Sequence, residues 1–93
     1  MEDINIDNGR VLIDFHADWC GPCRMMEPMI EKFKDEVEGE VDVIKINVDS
    51  ESDLPRKFGV RSIPCFVYLE DGEVVQRGIG TKNIEQLKEM CNL

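Results

Sequence analysis

Residues 11–23 read VLIDFHADWCGPC, and this stretch decides the interpretation of the whole chain. Its first part, Val11 to Ala17, is a short apolar run interrupted by one Asp, the pattern of a strand buried on both faces. Its second part places Cys20 and Cys23, with Gly and Pro between them, where a longer amphipathic segment begins. We therefore predict that a buried strand leads into a pair of thiols at the start of a helix.

The spacing of the two cysteines suits thiol–disulfide exchange. A thiol at a helix N-terminus meets unpaired N–H groups and the positive end of the helix dipole, which stabilise the thiolate. Two intervening residues place the sulfurs one turn apart. We predict that Cys20 is an exposed nucleophile that forms a mixed disulfide, and that Cys23 then resolves it. Gly21 lets a partner chain approach, and Pro22 needs no N–H in the first helical turn.

The rest of the sequence predicts the element order β-α-β-α-β-β-α. Apolar residues with the spacing of one helix face follow the cysteines: Met26, Ile30, Phe33 and Val37. This helix contains Pro28, which should kink it, and it ends near Glu38-Gly39. The later elements are strands at 41–48, 65–70 and 73–77, a short helix at 54–58, and a last helix starting at Asn83 with Gln86 as its capping-box partner.

This order predicts an α/β fold. A strand–helix–strand crossover pairs its strands in parallel, and a hairpin turn at Asp71-Gly72 adds antiparallel strands. We expect a central mixed sheet with helices on both faces, formed by residues 1–93 as a single domain.

Composition and charge exclude several classes of partner. The net charge is −9, with 11 Lys+Arg against 20 Asp+Glu, so there is no basic stripe for nucleic acid or for an anionic membrane surface. No stretch approaches the roughly 20 apolar residues of a membrane span, and the acidic N-terminus lacks the apolar region of a signal peptide. We expect a cytoplasmic protein with no membrane partner, in a compartment that keeps thiols reduced.

Residues 19–23, Trp-Cys-Gly-Pro-Cys, resemble the active site of the thioredoxin family, and the resemblance covers nearly all of residues 11–93. The other matching segments are Val11–Phe15, Arg24, Glu27-Pro28, Lys45–Asp49, Phe58–Pro64, Asp71-Gly72 and Gly80. The resemblance implies a thioredoxin-like fold and a protein-disulfide reductase that maintains cell redox homeostasis. It implies disulfide-containing substrate proteins and no bound cofactor. Because no flavin or nucleotide motif is present, a separate electron donor of the thioredoxin-reductase type would recycle the dithiol.

The resemblance also implies an acid behind the cysteines. Asp14 would be a buried carboxyl beneath Cys23 that helps to move its proton, and Lys45 on the adjacent strand would be its partner. The residues alone leave two alternatives open: an Asp at a solvated strand end, and an exposed strand Lys.

A docking surface is implied as well. Pro64 would follow a cis peptide bond, which brings its loop beside Cys20 and leaves the backbone of Ile63 free to pair with a bound peptide. The implied substrate-binding residues are Trp19, Gly21, Pro22, Ile63, Pro64, Ile79 and Gly80. For Ile79, packing in the core is the alternative.

The chain departs from the family pattern at its N-terminus. Ten residues precede Val11, where the family normally has a strand and a helix. Ile4 and Ile6 alternate and could form one short strand, but there is no room for the helix. We expect the sheet to lack one edge element and the chain to be a monomer or a weak dimer.

Other departures concern His16 and the remaining sulfur residues. We expect His16 to pack near the site, with tuning of Cys20 as the alternative. Cys65 follows Pro64, where the family commonly has Thr; it is either a small buried residue or a regulatory thiol close to the cysteine pair. Residues expected in the core are Met25, Met26, Met29 and Cys91.

Three alternative functions remain open at this point. The first is an oxidant or isomerase with the same chemistry, which a reduction potential would distinguish. The second is a metal-binding module that uses Cys20, Cys23, Cys65 and His16, although we expect no metal. The third is an adaptor subunit in which the cysteines have no redox role.

Overall fold

The computed structural model describes residues 5–93, and these form the predicted order β-α-β-α-β-β-α. The elements are β1 Arg10–His16, α1 Gly21–Glu36, β2 Asp42–Asn47, α2 Asp53–Lys57, β3 Cys65–Glu70, β4 Glu73–Ile79 and α3 Ile84–Met90. Strand β4 runs two residues further than predicted because Gly78 and Ile79 continue the pairing with Phe66 and Cys65. The predicted capping box of α3, between Asn83 and Gln86, is confirmed.

The sheet is mixed, as predicted. Within residues 5–93 the strand order is β2-β1-β3-β4, in which β1 pairs with β2 in parallel and the other two pairs are antiparallel. The inner residues of β1, Val11–Phe15, are all buried because helices and loops cover both faces of this central strand. Asp71 (φ 50°) and Gly72 (φ 86°) both adopt the left-handed conformation that a tight hairpin turn requires.

One face of the sheet packs against the two longer helices. Leu12 and Tyr68 from the strands contact a layer that includes Ile30 and Phe33 of α1 and Leu87 of α3. All of these side chains are essentially inaccessible to solvent, so this layer forms the larger part of the apolar core.

The opposite face packs against the segment around α2. Phe15 and Val67 from the strands meet Phe58, which ends α2, and the rings of Phe15 and Phe58 lie 6.3 Å apart between centroids. Ile6 from the N-terminal segment is also buried in this layer. The two layers confirm that helices lie on both faces.

The N-terminal segment is short, as predicted. Residues 5–9 contain neither a helix nor a strand, so the reduced N-terminus is confirmed for this part of the chain. The suggested strand through Ile4 and Ile6 falls partly on residue 4, which lies outside the described residues. Ile6 is not in a strand, and it covers the α2 face of the sheet instead.

The prediction that all three methionines of α1 are core residues is wrong for Met25. Met26 is buried and Met29 packs against the same layer, but the side chain of Met25 is 84% exposed. Successive helical residues are rotated by about 100°, so the residue before Met26 lies on the solvent side of α1.

A polar network joins the end of α3 to the sheet. The Arg10 Nε donates to the Tyr68 hydroxyl at 2.7 Å, and that hydroxyl donates to Glu70 Oε2 at 2.7 Å. The Arg10 guanidinium also donates to the backbone carbonyl of Cys91. The arginine therefore links β1 and β3 to the C-terminus of the last helix.

We expect Tyr68→Phe to lower the free energy of unfolding by about 1–2 kcal/mol, because it leaves Arg10 and Glu70 without their shared partner. Urea denaturation of the oxidised protein measures the change. In an Arg10→Met background the same substitution should cost less, since the two side chains act together. Equal costs in both backgrounds would contradict the network.

Candidate active site

The two cysteines of the motif lie at the start of α1. Cys20 is the N-cap of the helix and forms a disulfide with Cys23, with 5.3 Å between their Cα atoms. The Cys20 Sγ also accepts a hydrogen bond from the Cys23 N–H at 3.2 Å. Pro22 occupies the first turn, where no intrahelical N–H is required. In the reduced protein the helix N-terminus favours a thiolate at Cys20.

The prediction that Cys20 is exposed is wrong for the disulfide form. Its relative exposure is 4%, because its side chain packs in a cluster with Ala17 and Cys23. The neighbouring residues Trp19 and Gly21 are exposed, so the sulfur lies just beneath the surface.

The loop before β3 lies beside this cluster. The Ile63–Pro64 peptide bond is cis, as the resemblance implied, and Ile63 packs against the cysteine cluster. The Gly80 N–H donates to the Pro64 carbonyl at 2.9 Å, which fixes the end of β4 against the same loop. The structure therefore brings Ile63, Pro64 and Gly80 to the edge of the disulfide.

Two large apolar side chains are exposed, one in the motif of residues 19–23 and one at the end of β4. Trp19 is 69% exposed, and its indole N–H donates to Asp49 Oδ2 at 2.8 Å, which fixes the ring orientation. Ile79 is 57% exposed, so the alternative of core packing for this residue is wrong. Exposed apolar side chains beside a reactive group are typical of a docking surface.

Asp14 lies behind the cysteines, in the middle of β1, and is only 6% exposed. The alternative of a solvated strand end is therefore wrong. The residue lines a cavity of about 350 Å³. The other lining residues are His16, Ala17, Asp18, Cys23, Arg24, Glu27 and Lys45. Burial raises the pKa of the Asp14 carboxyl to about 6, although the charges of His16 and Lys45 act to lower it.

Lys45 is next to Asp14 in the parallel register of β1 and β2, and it lines the same cavity. Its ammonium, however, pairs with Glu27 Oε1 at 3.4 Å and Glu31 Oε1 at 3.3 Å. The lysine therefore acts on Asp14 through its charge across the cavity. Sequence reasoning missed these two glutamates, although their i, i+4 spacing on α1 places them on one helix face.

The other two cysteines are free thiols, and both are buried. Cys65 is buried in the α2 layer, and burial raises the pKa of its thiol. Cys91 is buried in the layer of α1 and α3, and burial raises its pKa to about 11. Cys65 packs in a different apolar cluster from Cys20 and Cys23 and is 1% exposed, which agrees with the alternative of a small buried residue; a regulatory role for its thiol stays a prediction.

The geometry also argues against the metal-binding alternative. That alternative requires Cys65 beside Cys20 and Cys23, and the structure places Cys65 in a different layer. Across residues 5–93 no three His, Cys, Asp or Glu side chains are arranged to hold a metal ion. In the same part of the chain, no helix has both the length and the apolar character needed to cross a bilayer.

Comparison with known proteins gives one consistent result. The family model described as Thioredoxin matches residues 1–92. The chain is similar to the thioredoxin of Bacillus subtilis (strain 168), with 44% identity over 84 residues that cover 90% of this chain and 81% of that protein. It is also similar to the thioredoxin of Staphylococcus haemolyticus (strain JCSC1435), with 40% identity over 90 residues that cover 97% and 86%.

A solved structure agrees with these sequence relatives. A mutant thioredoxin from Halobacterium salinarum NRC-1 superposes with a TM-score of 0.83 at 41% identity, covering 92% of this chain and 74% of that one.

Proposed function

Because the chain belongs to the thioredoxin family and is a thiol–disulfide oxidoreductase, we propose that Cys20 attacks the disulfide of a substrate protein and that Cys23 completes its reduction. The observation that carries the proposal is the Cys20–Cys23 pair at the N-terminus of α1, in front of the buried Asp14. The two sulfurs differ in their position on the helix, and this difference separates their roles.

The first step uses the helix N-terminus. In the reduced protein the Cys20 thiolate attacks one sulfur of the substrate disulfide, and the other substrate sulfur leaves as a thiolate that takes a proton from water. The backbone N–H of Cys23 faces the Cys20 sulfur and stabilises its negative charge. The product is a mixed disulfide between Cys20 and the substrate.

The second step uses the cavity. Cys23 loses its thiol proton to the Asp14 carboxylate and attacks the Cys20 sulfur, and the substrate sulfur leaves as a thiolate. The protein ends with the Cys20–Cys23 disulfide and the substrate with two thiols. Both Asp14 and Cys23 line the cavity, so a water molecule there can carry the proton between them.

Substrate docking involves the surface around the disulfide. The residues proposed for it are Trp19, Gly21, Pro22, Ile63, Pro64, Ile79 and Gly80. Their support is the exposure of Trp19 and Ile79 and the packing of Ile63 against the cysteines. The backbone of Ile63 would pair with an extended segment of the substrate.

Recycling, location and domain organisation complete the proposal. An electron donor of the thioredoxin-reductase type would return the disulfide to the dithiol in the cytoplasm.

Residues 1–93 would act as one domain, since both apolar layers share the same sheet. The reduction potential of the Cys20–Cys23 disulfide distinguishes a reductant from an oxidant. A value close to about −270 mV would support a role as a reductant of other proteins.

Trapping of the mixed disulfide tests the order of the two steps. We expect Cys23→Ser, reduced and then mixed with oxidised insulin, to accumulate a covalent adduct, because Ser cannot resolve it. Intact-mass spectrometry under non-reducing conditions measures the adduct, and dithiothreitol should release it. A Cys91→Ala variant, changed at a thiol outside the site, should turn insulin over without accumulating adduct. An adduct on Cys20→Ser instead of on Cys23→Ser would contradict the proposed order.

A further inference from the structure

The cavity behind the disulfide contains a titratable side chain that the mechanism above does not use. His16 lies two residues after Asp14 on β1, so both side chains project from the same face of the strand. Both line the cavity with Cys23. Within residues 5–93 the imidazole makes no hydrogen bond to another side chain, and it is half-buried. From this half-buried position its charge acts on Asp14, the buried carboxyl on the same face of the strand.

Several other charged side chains line the cavity together with this imidazole. They are Asp18 from the loop after β1, Arg24 and Glu27 from α1, and Lys45 from β2, with Glu31 of α1 behind the lysine. Lys45 is paired with two glutamates, and its charge lowers the pKa of Asp14 less than that of His16 does. Asp18 is hydrogen-bonded by the Asn47 amide at 3.4 Å. Of the charges around the cavity, that of His16 has the largest effect on the pKa of Asp14, which it lowers.

We propose that His16 is a positioning residue for the resolving step, acting through Asp14, which the positive charge of the imidazolium keeps in the carboxylate form. The inference rests on the proposed function. When Cys23 is deprotonated, its proton passes to the Asp14 carboxylate and the new thiolate attacks Cys20. Asp14 then releases the proton to water and returns to the carboxylate form that the imidazolium favours. No oxidant or additional reductant takes part in this transfer.

The two groups should be thermodynamically coupled, and the coupling must be the same from either side. His16 is the one histidine of the chain, so its imidazole gives an unambiguous proton NMR signal. We expect Asp14→Asn to shift the titration midpoint of that signal downward by roughly half a pH unit. His16→Gln should shift the midpoint of the Asp14 carboxyl, followed by carbon NMR, upward by the same amount. Midpoints that stay within about 0.1 unit of wild type would overturn the proposal.

The kinetic test uses the pH profile of insulin reduction. His16→Gln should move the acidic limb of the profile upward by roughly half a unit, so that turnover falls about twofold near pH 6 and about threefold well below it. Lys34→Gln is the control, since it removes an exposed positive charge in the last turn of α1, outside the cavity, and should not move the limb. Thermal unfolding of each variant separates this effect from a loss of folding.

The outcomes distinguish this inference from the function on which it rests. If wild type reduces insulin and His16→Gln has the wild-type pH profile, the role of His16 is wrong and the function stands. If wild type itself does not reduce insulin, the proposed function is wrong.

Discussion

Cys20→Ser is expected to lower the turnover of disulfide reduction by at least roughly a thousandfold, because it removes the nucleophile on which the whole reaction depends. A serine hydroxyl at the N-terminus of α1 is not ionised at neutral pH, and the second thiol lies in the first turn of the helix rather than at its N-cap. The helix N-terminus cannot compensate for the missing thiolate. Reduction of insulin with an excess of dithiothreitol, or with a reductase and its electron donor, measures the loss.

The control for this result must preserve the fold and change another thiol. Cys91→Ala removes a fully buried cysteine from the α1 and α3 layer, so it should cost stability but leave turnover close to wild type. Retention of more than about a tenth of wild-type turnover in Cys20→Ser would contradict the assignment of the nucleophile.

Asp14→Asn is expected to make the oxidised protein more stable relative to wild type by about 3 kcal/mol at pH 8 compared with acidic pH, because it removes a carboxyl that must be buried in its charged form at pH 8. The pKa of this carboxyl rises from its ordinary value of 3.8 to about 6 in the folded protein, with burial as the main cause. Such a group favours the folded state fully below its unfolded pKa, and this contribution is lost as the pH rises through the folded pKa. A shift of roughly two pH units corresponds to about 3 kcal/mol.

The measurement is the difference in unfolding free energy between variant and wild type at several pH values. Urea denaturation at pH 4 and pH 8 should show that the stability of the variant relative to wild type is greater at pH 8. Any cost of burying the amide is the same at both pH values, so it cancels in the comparison. Asp42→Asn is the matched control, because Asp42 is exposed on β2 and its replacement should give no such trend. A difference that stays constant from pH 4 to pH 8 would show that Asp14 is not a buried titrating group.

Much of the fold could be predicted because local patterns agree with the tertiary structure. The apolar run of β1, the Asp71-Gly72 turn and the Asn83 cap each specify an element without long-range information, and all three are confirmed. The cysteine pair could be placed at a helix start for the same reason: the Gly and Pro between the two thiols suit the first turn of a helix, and they begin α1.

The errors concern contacts between distant segments. The burial of Cys20 depends on its packing in a cluster with Ala17 and on Ile63, which lies more than forty residues away in the chain. The partners of Lys45 depend on how α1 crosses β2, which no local pattern encodes. Met25 shows a further reason: a run of similar apolar residues does not reveal which of them faces solvent.

The positions of the four cysteines also affect how the protein behaves in air. Two are joined to each other and two are enclosed in the core, where burial holds them in the thiol form. A folded molecule that has been oxidised therefore presents no sulfur for crosslinking to a neighbouring molecule. Covalent multimers should form only from reduced or unfolded chains, so the folded, oxidised form limits oxidative crosslinking during storage.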